Sequence, residues 1–516
     1  MGTTAYAADE APTPAASADA ASTPGAPATG TVPATNAATN ETSPTPAAAE
    51  DAQADTSGVD KNAAVTPVPG TSGEPGSVAG VESSVAPGLY QTAYSPSRNS
   101  LYVTSAVGRP PVTQSSLIKL DADTLAYQTH IVPEVDPTAT GRDGKPLEGA
   151  RYAVYGVAVD DEHGTVWVTN TRQSTVAVYD ADTLTLVKQF DKDIVSHSRD
   201  VIIDAARDRA YVSSARSNKI AVFDTSTNTQ LADITVGQDA DDFSPMSLAL
   251  DETSGTLVTV SSSSAKAALI DVASGNVTEV ALPASVSRAS GVAYDPATGR
   301  IYVASQGSGD LVVVEKDGTV VNQVVTATGL KDADGKDITS GALNVALDPV
   351  HSLVYVTNRN AGTITVHDLD GTIRQTIDAG RYPNHVEYDG RGNVYAVNKG
   401  GSRDGSTKND YVQRFSVIAA PAPTATAEPA PTGSGTPSPT GASSLGASPS
   451  VTFQAAGSAG GRDGSGADVA VAAGSVSDGD GSGPGLASTG ASVAGAVLAA
   501  VLLGGGVLLV RARRRA

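Results

Sequence analysis

One pattern occurs seven times across residues 92–400, and it restricts the fold more than any other property of the chain. Each copy is a short apolar run, a tight turn, and a second run rich in valine and tyrosine. The copies are TAYSPSRNSLYVTSA, VAVDDEHGTVWVTNT, VIIDAARDRAYVSSA, LALDETSGTLVTVSS, VAYDPATGRIYVASQ, VALDPVHSLVYVTNR and VEYDGRGNVYAVNKG. The fullest example, 344–377, goes on to a third run around Val366 and, after Asp370-Gly371, a fourth ending at Ile377. Runs this short, divided by Asp-Pro, Asn and Asp-Gly turns, read as antiparallel strands. The turns carry Ser95, Asp160, Asp204, Asp251, Asp295, Asp348 and Asp389, with interior spacings of 41–53 residues and a first interval of 65. A four-stranded unit recurring every 40 to 50 residues or so cannot bury both faces alone and must stack on its own kind. The expectation is an all-β, seven-bladed β-propeller of four-stranded blades. Blade 7 shows only three strands, ending at Val417, so its fourth is expected from residues 77–86.

Residues 8–75 and 419–485 are built from Ala, Pro, Thr, Ser, Gly and acids. Such segments bury too little apolar surface to offset their ordering entropy and are expected to be a disordered arm and a disordered Pro/Ser/Gly-rich stalk. One folded domain, 76–418, lies between them. The chain has no cysteine, which removes disulfides, thiolate metal sites and c-type haem attachment. Trp167 is its one tryptophan, so the Trp-rich repeats of quinoprotein propellers are missing; no cofactor and no metal are expected. A net charge of −21 argues against a nucleic-acid partner and suits an extracellular surface.

Tyr355-Val356-Thr357-Asn358, with variants at 167–170, 211–214 and 302–305, resembles the tetrapeptide of the YVTN-repeat (YncE-like) propellers over about residues 85–418. That resemblance implies the fold and leaves activity to the loops.

The two termini concern location. Ala5-Tyr6-Ala7 before Ala8 has the small-x-small form of a signal-peptidase site, so residues 1–7 are expected to be the remnant of a signal peptide. At the other end, 491–510 is a run of twenty uncharged residues, long enough for a transmembrane helix. The basic tail 511–516 follows, with Arg511, Arg513, Arg514 and Arg515, which holds that end in the cytoplasm. Leu486, Ala487, Ser488, Thr489 and Gly490 precede the span. Motif, span and basic tail in this order resemble a sortase sorting signal, in the LAxTG variant of class E sortases of actinobacteria. The resemblance implies a membrane-spanning precursor, cleavage between Thr489 and Gly490, and attachment to the peptidoglycan cross-bridge. The protein is then extracellular and wall-anchored, on a stalk of about 65 residues averaging roughly 45 Å as a coil.

Loop lengths pick out a face. The long connections 106–115, 133–151, 237–245, 329–341 and 399–409 all fall on the side where strand 2 leads to strand 3 and one blade leads to the next. That side is the expected binding face. It collects Arg151, Arg172, Arg216, Arg359, Arg381 and Lys399, candidates for an anionic ligand or glycan, although salt bridges to Asp200, Asp239 or Asp410 would also explain them. His197, Arg199, Arg288 and His385 enter innermost strands and are the candidates for catalysis, the alternative function being a secreted hydrolase or lactonase. His163, His351, His130 and His367 read as structural, and the Asp332-Asp334-Asp337 loop as polar surface rather than a calcium site.

Overall fold

The computed structural model describes residues 57–68, 78–141, 143–400 and 410–417. The expected signal remnant, most of the arm, the stalk, the sorting motif, the span and the basic tail lie outside them. Among the described residues no helix is long and apolar enough to cross a membrane.

The described strands form seven sheets arranged as a seven-bladed propeller. Blade 1 runs Leu89–Ser95, Ser100–Ala106, Ser115–Asp121 and Tyr127–Ile131. Blades 2 to 6 repeat that meander in chain order, with the outermost strand of blade 3 broken into Thr229–Gln230 and Ile234–Thr235. The ring closes where expected. The fourth strand of blade 7 is Val78–Ala86, paired antiparallel with Asp410–Val417. One expectation is corrected. Val65–Pro67, assigned to the arm, adds a fifth strand to that blade by pairing with Ser83, Glu82 and Val81. Residues around it dock too: Gln114 Nε2 donates to the Ser57 carbonyl at 3.2 Å, and Val59 and Ala63 pack on the core between blades 7 and 1. The folded domain therefore begins well before residue 76.

Burial follows a gradient across each blade. The second and third strands are almost wholly buried, whereas the outermost strands, such as Val320–Val325, are mostly exposed or half-buried. Seven apolar clusters occupy the seven seams; Trp167, for example, packs with Phe190 and Phe223 between blades 2 and 3.

The tetrapeptide at the end of strand 2 explains how the seams and the mouth are held. Its tyrosine staples neighbouring blades: Tyr302 Oη donates to the Leu369 carbonyl and Tyr395 Oη to that of Ala122, both at 3.0 Å. Its threonine satisfies a donor stranded by a bulge. In six blades the innermost strand shifts register near its start, which pulls one backbone N–H out of the ladder. Thr104, Ser213 and Thr357 hydroxyls accept such N–H groups, from Gln91, Asp200 and Asn344, at 3.0–3.2 Å. The last residue ties down the chain entering the blade, as Asn170 Nδ2 does on the Tyr152 carbonyl at 2.9 Å and Ser214 Oγ on that of Ser196 at 2.7 Å. The repeat residues are accordingly framework.

Candidate functional site

The long-loop mouth has a repeated frame. The N–H just beyond, or ending, strand 2 donates to the carbonyl of the residue before strand 1: Ala106 to Gly88, Ala215 to His197, Ser262 to Ser244, Gln306 to Arg288, Arg359 to Gly341 and Lys399 to Tyr382, at 2.8–3.3 Å. The accepting residue has positive φ in five blades: Gly88 (71°), His197 (56°), Arg288 (52°), Gly341 (68°) and Tyr382 (64°). Glycine takes this left-handed backbone at little cost, whereas a bulky residue costs of order 1 kcal/mol or more. Two blades use glycine and three hold a large side chain there against that cost.

Below the mouth, polar side chains of the innermost strands join one blade to the next. Gln91 Oε1 accepts from Val157 N–H at 3.3 Å, and Asp200 Oδ2 accepts from Leu248 N–H at 3.0 Å. Asn344 Oδ1 accepts from Val386 N–H at 3.0 Å. At the closing seam, Glu387 accepts from Tyr94 N–H at 2.9 Å and from the Thr92 hydroxyl at 2.8 Å, while Thr92 N–H donates to His385 Nδ1 at 3.3 Å. Burial raises the Glu387 carboxyl above its ordinary value. His385 is pushed down to about 3, by burial first and by the Arg199 charge second. His385 is half-buried in surface terms, and the protein packed around its ring governs its titration.

The cations gather unevenly. Around blades 1 to 3, Tyr90 and Tyr155 meet edge to face, with centroids 4.7 Å apart. Lys399 Nζ lies 3.6 Å from the Tyr90 ring centroid and donates to the Leu89 carbonyl. Arg172 lies over Tyr155 and its Nε donates to the phenol oxygen at 3.3 Å. Arg199 is only 9% exposed and its Nε has no hydrogen-bond partner. Burial pushes its guanidinium down, with the Asp200 charge opposing, but an arginine keeps its proton at neutral pH. His197, 5% exposed, also has an unpartnered Nε2 and is pushed down to about 3 by burial and then by Arg216, Arg172 and Arg199. Among the described residues, no ion pair engages Arg172, Arg199 or Arg216. Buried polar groups without partners cost free energy unless something fills the space beside them.

The remaining candidates are placed as follows. Arg359 and Arg381 flank the Tyr382 ring at 5.9 and 5.3 Å, at the entry to blade 7. Arg216 and Arg288 are exposed on the rim. Arg151 is committed to the loops, donating to the carbonyls of Thr113 at 2.9 Å and Pro133 at 2.8 Å. His197 and His385 share the field of Arg199; Arg288 does not enter it. The opposite-face acids build turns: Asp160, Asp251, Asp295 and Asp348 each accept backbone N–H groups two or three residues on. Asp332 does the same within its loop. His163 and His351 bond to Asp160 and Asp348 at 2.8 Å, His130 to Tyr127, and His367 to Thr365 and Gly371. A depression of about 400 Å³ beside Pro296 and Thr298 lies on that opposite face, its charges already engaged as Glu315 meets Arg300 and Lys316 covers Tyr294.

Sequence reasoning passed over Tyr90, Tyr155, Tyr382, Thr92 and Glu387. Aligning the innermost strands would have exposed Glu387, because the same position is alanine in five blades: Ala93, Ala158, Ala249, Ala293 and Ala346.

Comparison with known proteins places the chain by fold. No family model matches it, and neither does any curated protein. Among solved structures it is similar to the WD40 repeats of RRP9, at 11% identity over 68% of this chain and 100% of that one, TM-score 0.51. U3-55K is similar at 11% identity over 64% and 95%, TM-score 0.50. Virginiamycin B lyase from Staphylococcus aureus follows at 12% identity over 69% and 100%, TM-score 0.47. Identities this low speak for the propeller fold alone.

Proposed function

We propose that this chain is a cell-wall-anchored extracellular propeller of the YVTN-repeat (YncE-like) type, working as a binding module for an anionic ligand or glycan at its long-loop mouth. The observation that carries the binding half is the cluster of Arg172, Arg199 and Arg216 around a neutral His197, without ion pairs among the described residues, on a chain of net charge −21. A local cationic mouth on an acidic body attracts anions at short range and repels them elsewhere. The attachment half rests on sequence. The span 491–510 holds the precursor in the membrane, its C-terminus cytoplasmic, while a class E-like sortase reaches Leu486 to Gly490. The amide between Thr489 and Gly490 breaks, Gly490 keeps the amine, and the Thr489 carbonyl passes to an amine of the peptidoglycan cross-bridge. Residues 419–485 then serve as the stalk.

Binding is preferred to the hydrolase or lactonase reading for a chemical reason. Imidazoles with pKa near 3 are weak bases at neutral pH, and His385 Nδ1 already accepts the Thr92 N–H. The test is retention of the full chain on polygalacturonate beads at low salt, compared with a variant carrying Arg216→Gln and Arg288→Gly. The native chain is expected to elute at clearly higher salt. Both changes lie on the exposed rim, and the second relieves a left-handed backbone, so the variant should melt no lower. Identical elution of the two would remove the binding claim.

A further inference from the structure

We propose that the quadrant between blades 1 and 3 is a phosphate site, in which Arg172, Arg199 and Arg216 hold a dianionic phosphoryl group against Tyr155 and His197. This deepens the binding reading above and rests on it.

Three observations point to an oxyanion. Two buried polar atoms, Arg199 Nε and His197 Nε2, have no partner; Arg199 is the second residue of the innermost strand Ser198–Asp204 and His197 immediately precedes it. The three arginines come from separate elements: the 3-10 turn Thr171–Gln173, that innermost strand, and the loop after Arg209–Ser214. Hydrogen bonds tie the three segments together around His197: the Thr171 hydroxyl donates to the Ser198 carbonyl at 2.7 Å, His197 N–H to the Ser174 hydroxyl at 3.1 Å, and Ala215 N–H to the His197 carbonyl at 3.3 Å. Finally, the acid nearest at hand is turned away. Asp200 spends its oxygens on Leu248 N–H at 3.0 Å and Gln91 Nε2 at 3.4 Å.

Charge decides between oxyanions. Three guanidinium groups, with Lys399 close by on Tyr90, outnumber the one carboxylate, and a phosphoryl dianion offsets that excess better than a singly charged carboxylate does. A guanidinium fork also matches two phosphoryl oxygens at once, which an ammonium cannot do. His197 contributes Nε2 as an acceptor or donor, whichever tautomer the bound group selects. Tyr155 stays in place through its bond from Arg172 and its contact with Tyr90, so the wall of the site is built before any ligand arrives.

The experiment is isothermal titration of the full chain with inorganic phosphate, and separately with acetate, at pH 7.5 and fixed ionic strength. Phosphate is expected to bind at least tenfold more tightly than acetate. Arg216→Gln, on the exposed rim, and Arg172→Gln should each weaken phosphate about tenfold while leaving the ligand-free melting temperature within a few degrees. Because Arg199→Gln alters a buried group and risks unfolding, the proposal stands on the other two variants. No heat with phosphate, equal affinity for acetate, or unchanged phosphate affinity in both variants would overturn it. If phosphate fails while rim substitutions still lower retention on polygalacturonate, the phosphate site falls and the binding module stands; if both fail, the module falls as well.

Discussion

Deleting residues 1–88 is expected to abolish cooperative folding of the propeller. The deletion removes Val78–Ala86, the strand that joins the end of the domain to its beginning, together with the Val65–Pro67 strand outside it. Asp410–Val417 would keep Val394–Asn398 on one side but lose its other partner along its length and become an open edge, which invites aggregation. The seam between blades 7 and 1 would lose Val85 and Ala86, both fully buried, and its packing with Val59, Ala63 and Val81. At about 1.5–3 kcal/mol for each large buried side chain, with a ladder of hydrogen bonds besides, the loss is on the order of 5–10 kcal/mol. Total domain stability is about 5–15 kcal/mol, so little would remain. A milder version is Gly80→Val. A Cβ at Gly80 would stand 2.3 Å from the Arg414 carbonyl oxygen and 2.9 Å from Phe415 Cα, so the closing strand must shift to admit it. Melting followed by circular dichroism should show a large drop for Gly80→Val and no sharp transition for the deletion. Melting temperatures within a few degrees of the native chain in both would show that the ring does not depend on this closure.

Stability is also expected to fall as the pH is lowered from about 6.5 to 5, because of His197 and His385. In the unfolded chain each takes up a proton near the ordinary histidine value of about 6.5. In the folded chain each is held down to about 3, by burial together with arginine charges. Between these values the unfolded state binds more protons, so the stabilisation is fully present above about 6.5 and is lost as the pH falls through the window. Each histidine contributes a slope of up to about 1.4 kcal/mol per pH unit. His163 behaves in the opposite sense: bonds to Asp160 raise it, and its contribution is complete below about 6.5 and lost as the pH rises through its folded value. Asp200 and Glu387 are raised by burial, so above the unfolded carboxylate value of about 4 the folded state holds their protons more readily and their contribution opposes that of the two histidines. Urea midpoints at pH 7, 6 and 5 should therefore decline, and His385→Gln should decline less steeply. A flat profile in the native chain would show that these imidazoles are not held neutral.

The fold was legible because each blade repeats the same local chemistry. Alternating apolar runs and acidic turns specify strands one hairpin at a time, and the missing fourth strand of blade 7 pointed to the residues before Gln91 that supply it. Val65–Pro67 escaped notice because three residues with a proline carry no strand signal; the exposed edge of blade 7 selects them, which is a tertiary effect. The site was legible only in part. The bias of arginines to the long-loop face follows from loop order and can be counted. Left-handed backbone at His197, Arg288 and Tyr382 cannot, since it arises from a frame of hydrogen bonds between a blade's entry and the end of its second strand. Nor can the seam formed by Thr92, His385 and Glu387, since Thr92 lies more than 290 residues from the other two.

The central claim is surface display by covalent attachment to the wall, and the most direct measurement is mass spectrometry of the C-terminal peptide after the wall is digested with muralytic enzymes. The expected product is a chain ending at Thr489 and carrying wall peptide on its carboxyl group. A chain running intact to Ala516 and recovered with the membrane would contradict it.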